Sequence, residues 1–398
     1  MSNMFARGIQ ASWLASLRRP TNRFIAAVRD PEKAQARKLL TILVRNAGTS
    51  YGREHGFGRV GTVADWQARV PLVDYTAVAP WVDRIAAGED CVLTREPVLM
   101  LEPTAGTTGP PKLLPYTSDL LDELLAATGP WLFEAYRQWP KILGTRSYWS
   151  ASSAGRVGGE TAGGVPIGQP TDSVYFGPVE GWANARLTAG AHTEGFTADD
   201  PEPDPLDIAR NLLLADDLGF ISVWSPADLT ELLVRIQTNL DPLVASLPDA
   251  RATNLRGALN AAGRVTVPAL WPSLAMVSCW ADAPSTAEVE SLREFMPTTP
   301  IQPKGLCATE GVVTVPLGAS EGALAAVDSH FLEFLDLEAP TKRPKLVHEV
   351  QEGARYSPVL TTSGGLYRYQ LGDIMRCIGH TEVTPRFVVE GRLSPPEG

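Results

Sequence analysis

The segment Thr104-Ala105-Gly106-Thr107-Thr108-Gly109-Pro110-Pro111-Lys112 gathers two glycines, three threonines and a lysine within nine residues. Glycines let backbone N–H groups approach phosphate oxygens, hydroxyls add donors, and a lysine adds positive charge, a set suited to a nucleoside triphosphate. It is not a Walker A loop, which needs GxxxxGK[ST] running into a helix; here the lysine follows two prolines. A solvated turn would have the same composition. In GLCATEGVVTVPL the group Thr309-Glu310-Gly311 follows a strand-like run. There the threonine could hold a phosphate oxygen and the glutamate could ligate Mg²⁺ through a hard carboxylate oxygen, or the three could form a polar turn. In GGLYRYQLGDIMRCIGH the carboxylate of Asp373 lies between apolar residues. Hydrogen bonds to ribose hydroxyls would explain so awkward an acid, and pairing with Arg368 or Arg376 is the plainer alternative. Tyr367 and Tyr369 could face an adenine or pack across strands. His55 in YGREHGF reads as a turn or packing residue, and no Ser lies in a GxSxG elbow with a His downstream, so a catalytic triad is unsupported.

These segments need a scaffold, and the chain can supply one. Its 398 residues are 44% hydrophobic and 20% charged, enough apolar surface for a sizeable core. The net charge of −10, with no run of Lys or Arg, opposes nucleic-acid binding and attachment to anionic membranes. Cys91, Cys279, Cys307 and Cys377 form no CxxC pair, and the five histidines add no spaced ligand set, so neither a zinc site nor a disulfide framework is expected. No apolar run reaches the roughly 18 residues of a membrane span. The first twenty residues carry polar breaks where a signal peptide would be continuous, and a cytoplasmic location follows as the expectation.

Periodicity predicts a helix through Ala36, Leu39, Leu40 and Leu43, stopping near Asn46-Ala47-Gly48. CVLTREPVLML and LLPYT flank the Gly/Thr-rich segment as strand, loop, strand. A helix follows with Leu121, Leu124, Leu125 and Thr128 on one face, and residues 144–198 read as irregular. After the acidic connection ADDPEPDPLD, helices and strand-like runs alternate: Ile208–Leu214, FISVW, a helix from Pro226 with Leu229, Leu232, Leu233, Ile236 and Leu240 in one stripe, LAMVSCW, Ser285–Phe295 and TPIQP. That alternation favours a mostly parallel sheet covered by helices. From about Ala323 extended segments dominate and predict a β-rich subdomain.

Taken in order, these segments resemble the auxin-responsive, Gretchen-Hagen type acyl-acid amido synthetases, a branch of the adenylate-forming ligases. The resemblance runs through YGREHGF, VP..DY and GE..VLT to the Gly/Thr-rich loop, continues at CATEG, and ends with HFLEF, HEVQEG and LYRYQLGD. It implies an α/β fold in which residues 1–392 form a large adenylating domain with helix-covered sheets and a β-rich subdomain. It implies ATP-dependent activation of a carboxylic acid to an acyl-adenylate, with Mg²⁺, followed by transfer to an amine or amino acid. Carried over position by position, Thr104, Gly106, Thr107, Thr108 and Gly109 would cradle phosphates and Lys112 would add charge. Thr309 would contact the α-phosphate, Glu310 the Mg²⁺, Tyr369 the nucleotide and Asp373 the ribose, and Arg392 would mark the hinge and serve catalysis with Lys112 and Glu310.

Two departures from the family pattern stand out. Ala105 replaces a serine usual in the loop, removing one hydroxyl donor to a charged group, worth about 1.5–3 kcal/mol. Residues 393–398 read as a hinge stump, with the family's mobile C-terminal domain and its lysine not in this sequence. The expectation is a truncated synthetase or one completed by a second polypeptide. An acyl-CoA-type ligase and a non-catalytic nucleotide- or acid-binding remnant are the alternatives.

Overall fold

The computed structural model describes residues 3–104, 111–150, 159–168, 188–189, 204–318, 320–339 and 343–394. They form two compact units, one from residues 1–16, 132–151 and 171–304, the other from residues 17–131, 152–170 and 305–398.

In the first unit the strands Arg146–Trp149, Leu218–Ser222, Met276–Cys279 and Ile301–Pro303 line up in chain order, every neighbouring pair parallel. The expected alternation of helix and strand is thus present. Ser225 caps the helix Pro226–Thr238 by accepting from Ala227 N–H at 3.1 Å, with a proline in the first turn where no intrahelical donor is needed. Leu229, Leu232, Leu233 and Ile236 are buried as the stripe predicted, while Leu240 begins a separate helix, Leu240–Ala245. Two further helices, Asp249–Ala262 and Val267–Leu270, fill a stretch that the pattern left unassigned. One correction concerns residues 144–198: Arg146–Trp149 is a strand, not irregular chain. Its four half-polar residues carry no period of their own, and its partner, Leu218–Ser222, lies some seventy positions away.

In the second unit an eight-stranded sheet is antiparallel throughout. Its order runs Lys345–Leu346, Phe331–Asp336, Arg355–Thr361, Asp373–Thr381, Thr384–Arg392, Ala323–Ala325 and Thr314–Val315, with Tyr369–Gln370 added beside Arg355–Thr361. Phe334 and Phe387 stack at 5.1 Å in its core. The helix Pro31–Asn46 ends where the sequence placed its stop. The short helix Val63–Arg69 starts on a capping box between Thr62 and Asp65, and Tyr75–Ala86 starts on Asp74. Neither was expected, because the first follows the glycine-punctuated FGRVGT and the second VPLVD, runs that read as turns.

The helix Ser118–Gln138 is capped by Thr117 Oγ1, which accepts from Leu120 N–H at 3.2 Å. Its buried stripe is rotated from the predicted one: Leu120, Glu123, Leu124 and Ala127 are buried, whereas Leu121, Leu125 and Thr128 are half-buried. An acid inside that stripe hid the true face from a reading based on apolar spacing. Among the described residues no helix is long and apolar enough to cross a membrane.

Candidate active site

All three chemistry-bearing segments belong to the second unit. Met100–Pro103 and Leu113–Tyr116 pair antiparallel, Pro103 opposite Leu113, a strand-loop-strand as expected, but the first strand starts only at Met100 and the rest of CVLTREPVLML, residues 91–99, is not strand. At the mouth of the connecting loop Thr104 N–H donates to Lys112 O at 2.8 Å. Ala105, Gly106, Thr107, Thr108 and Gly109 lie outside the described residues, so the phosphate-cradling expectation rests on their types alone.

Lys112 is held where the loop closes. Its Nζ lies 5.6 Å from the Tyr75 ring centre and 5.9 Å from that of Tyr369, and donates to the Tyr369 hydroxyl at 3.2 Å. Tyr75 is itself fixed, its hydroxyl accepting from Leu113 N–H at 2.8 Å and donating to Leu113 O at 3.2 Å. Sequence reasoning missed Tyr75; its place in the VP..DY element was the available signal.

Thr309 and Glu310 form the two-residue turn of a small hairpin, Cys307–Ala308 with Gly311–Val312. The Tyr116 hydroxyl donates to Thr309 O at 2.7 Å, joining this turn to the strand that leaves the loop. The Thr309 side chain is half-buried and Glu310 is 8% exposed. No described residue hydrogen-bonds the Glu310 carboxylate.

The third segment meets the second. Asp373 stands opposite Arg392 in strand register, and Arg392 Nη2 donates to Leu371 O at 3.2 Å. Burial pushes the Asp373 acid up from the ordinary carboxylate range; Arg392 opposes this and the Glu310 charge adds to it. Burial likewise raises the Tyr369 phenol, with Glu310 adding and Arg392 opposing. The charges of Glu310 and Arg392 thus act on both Asp373 and Tyr369, and Tyr369 is linked to Lys112.

The plainer alternative for Asp373 fails. Arg368 is paired bidentately with Glu333, at 3.0 and 2.9 Å, and Arg376 with Glu390 at 2.6 Å. Tyr367, by contrast, is core: it stacks on Tyr51 at 4.9 Å, meets Phe57 edge-on and donates to Leu93 O at 2.6 Å. On a continuous strand two residues this far apart would share a face; Tyr367 lies outside the strand Tyr369–Gln370, and Arg368 between them has a φ of 50°. His55 stacks on Tyr51 at 3.9 Å, a packing residue as its context suggested.

Residues 20–198 match the GH3 family N-terminal domain, and residues 323–392 match the GH3 family central domain. The chain belongs to the GH3 family, and its fold is that of the adenylate-forming ligases. Among curated relatives, "Probable indole-3-acetic acid-amido synthetase GH3.12" of Oryza sativa subsp. japonica is 26% identical, over 93% of this chain and 71% of its own length. "Jasmonoyl--L-amino acid synthetase GH3.5" of the same organism is 23% identical, over 94% and 72%. Among solved structures, the AtGH3.15 acyl acid amido synthetase in complex with 2,4-DB superposes with a TM-score of 0.79 at 19% identity, covering 96% of this chain and 71% of that one. An open conformation of 2-hydroxyisobutyryl-CoA ligase shares the fold at a TM-score of 0.54 and 15% identity, covering 89% and 73%.

Proposed function

We propose that the chain activates a carboxylic acid with ATP and passes the acyl group to an amine or amino acid. A carboxylate is a poor electrophile. Its oxygen attacks the α-phosphorus of ATP, pyrophosphate leaves, and the acyl-adenylate then carries a good leaving group. The amine nitrogen attacks the carbonyl carbon, AMP departs and an amide remains. Lys112 and the Thr104–Gly109 segment would hold phosphate oxygens, Thr309 the α-phosphate, Asp373 the ribose hydroxyls and Tyr369 the nucleotide. Arg392, beside Asp373, would balance charge at the end of the sheet. These are positioning and electrostatic roles.

Mg²⁺ fits the donor set. Among the described residues no three His, Cys, Asp or Glu side chains are placed to hold a metal, and Mg²⁺ is commonly held by one or two carboxylates plus substrate phosphates. Glu310, buried and without a hydrogen-bond donor among the described residues, offers such a carboxylate. When bound, the ion would act as a Lewis acid on the transferred group.

The observation that carries the reading is that hydrogen bonds join the strand leaving the Gly/Thr-rich loop to both other motifs, Lys112 to Tyr369 and Tyr116 to Thr309, with Asp373 opposite Arg392 in register. ATP–pyrophosphate exchange with Mg²⁺ across aryl, indolyl, benzoyl and fatty acids tests it. Exchange with at least one acid is expected, and ATP binding without exchange on any acid would overturn it. A product screen of amino acids against coenzyme A tests the acceptor: amide is expected, and thioester without amide would reject the second step.

Asp373 offers a test that separates function from folding. A raised carboxyl group binds its proton more tightly in the folded chain than in the unfolded one. Its contribution to stability is full below the unfolded value and is lost as pH rises through the folded value, so at pH 7 the ionised group is a net cost to the fold. Asp373→Asn is therefore expected to keep or raise the unfolding midpoint at pH 7 while exchange falls at least about 10-fold, some 1.4 kcal/mol. An unchanged exchange rate would remove Asp373 from the site.

A further inference from the structure

The helix Ser118–Gln138 follows directly on the strand Leu113–Tyr116, and its buried stripe includes a carboxylate, Glu123, only 4% exposed. An acid persists in such a place only when its lone pairs are taken. Ser363 supplies two donors, its N–H at 2.9 Å and its O–H at 2.8 Å; His330 Nδ1 lies at 2.9 Å and Lys38 Nζ at 3.6 Å. Burial alone would push the carboxyl up, but His330, Lys38 and the Ser363 amide together hold it below its ordinary value, so it is ionised at neutral pH. A carboxylate at this distance from Nδ1 fixes the ring proton there.

His330 is wholly buried, and among the described residues its Nε2 has no hydrogen-bond partner. A Cβ on Gly311 would lie 2.7 Å from that nitrogen, so the imidazole is the wall against which the backbone next to Glu310 rests. Ser363 opens the run that ends at Asp373. Its turn is closed by Thr362 N–H on Leu366 O at 2.8 Å, and a Cβ on Gly364 would meet Pro115 O at 2.9 Å. Glu123 thus bonds one nucleotide-site segment directly and braces the other through His330, from the helix that follows the Gly/Thr-rich loop.

We propose that Glu123 is a positioning residue that holds Glu310 and Asp373 in nucleotide-binding register, acting through His330 and Ser363. The proposal rests on the ligase reading above. The carboxylate does two things at once: it takes both donors of Ser363, and through Nδ1 it fixes the imidazole that stands against Gly311.

Glu123→Gln keeps the shape but removes the charge and one acceptor oxygen. One carboxylate oxygen, Oε2, takes both Ser363 N–H and His330 Nδ1, so the amide oxygen belongs there, and the NH2 is left facing the Ser363 hydroxyl and the Lys38 ammonium. The experiment compares the full chain with Glu123→Gln and Ser363→Ala, using thermal unfolding, calorimetric titration with ATP and Mg²⁺, and ¹⁵N NMR of the His330 ring. Glu123→Gln should remain folded, shift the His330 Nδ1 resonance as the charged acceptor is lost, and bind ATP–Mg²⁺ about 10-fold or more weakly, as expected when a group that orients functional residues is altered. Ser363→Ala should weaken binding with the His330 Nδ1 resonance little changed, and it decides the matter if Glu123→Gln does not fold. Wild-type affinity in the folded variants would overturn the proposal, as would a loss of binding no larger than the loss of folded protein. A wild-type chain that fails to bind ATP–Mg²⁺ would overturn the ligase reading, and this inference with it.

Discussion

Glu310→Gln is expected to slow ATP–pyrophosphate exchange by about 100-fold or more, near 2.7 kcal/mol of transition-state stabilisation. The side chain sits at the tip of a two-residue turn, with Thr309 O held by Tyr116 and Gly311 packed on His330. Little conformational adjustment is open to it, so a glutamine would occupy the same place with the wrong charge. Half-saturation by Mg²⁺ should move to higher concentration in the same variant, because a neutral amide is a poorer hard-cation ligand than a carboxylate. Equal exchange rates and equal Mg²⁺ dependence in the two proteins would take Glu310 out of the mechanism.

The second large effect is on stability. Arg368 has a backbone φ of 50°, unusual for a residue with a side chain, and its guanidinium is buried. Nε and Nη2 bind Glu333 as a fork, while Nη1 donates to Gln67 O at 3.0 Å and Val70 O at 2.6 Å. Removing the cation leaves Glu333, wholly buried, with only a hydrogen bond from Gln67 Nε2 at 2.8 Å. Arg368→Met should cost about 3–5 kcal/mol, and adding Glu333→Leu should recover much of it, because breaking a buried pair is costlier than replacing it with apolar groups. Urea denaturation of the three proteins measures this. A single variant as stable as the wild type would show that the pair is not what holds the segment.

Much of the frame was legible in the residue pattern. The helix start at Ser225-Pro226, the alternation of helix and strand over residues 205–303, and the extended segments that make the antiparallel sheet each follow from local rules of spacing and turn chemistry. What stayed hidden depends on partners distant in sequence. The strand Arg146–Trp149 exists because Leu218–Ser222 lies beside it. Glu123 reads as a solvent-facing acid until His330 and Ser363 are placed around it, and Tyr367 looks equivalent to Tyr369 until the Tyr51 ring covers one and Lys112 reaches the other. The candidate site was legible as residue types in three motifs, but not the tyrosines that hold them: Tyr75 and Tyr116 act through hydroxyls on backbone groups, which leave no mark on motif spacing.

The staple between the start of the chain and its third motif has a consequence for how the protein is made. Val73 N–H donates to Arg368 O at 3.1 Å and Gln370 N–H to Val73 O at 2.9 Å, while Lys112 finds the Tyr369 hydroxyl 257 positions downstream. On the ribosome, the early segments emerge long before the strands that will pin them. For most of synthesis the Gly/Thr-rich loop has neither its lysine clamp nor the turn its hairpin meets, and such non-local contacts form slowly. The candidate nucleotide pocket is therefore a late product of translation, and nascent chains stalled before residue 369 should show no protection of that hairpin from proteolysis by added ATP.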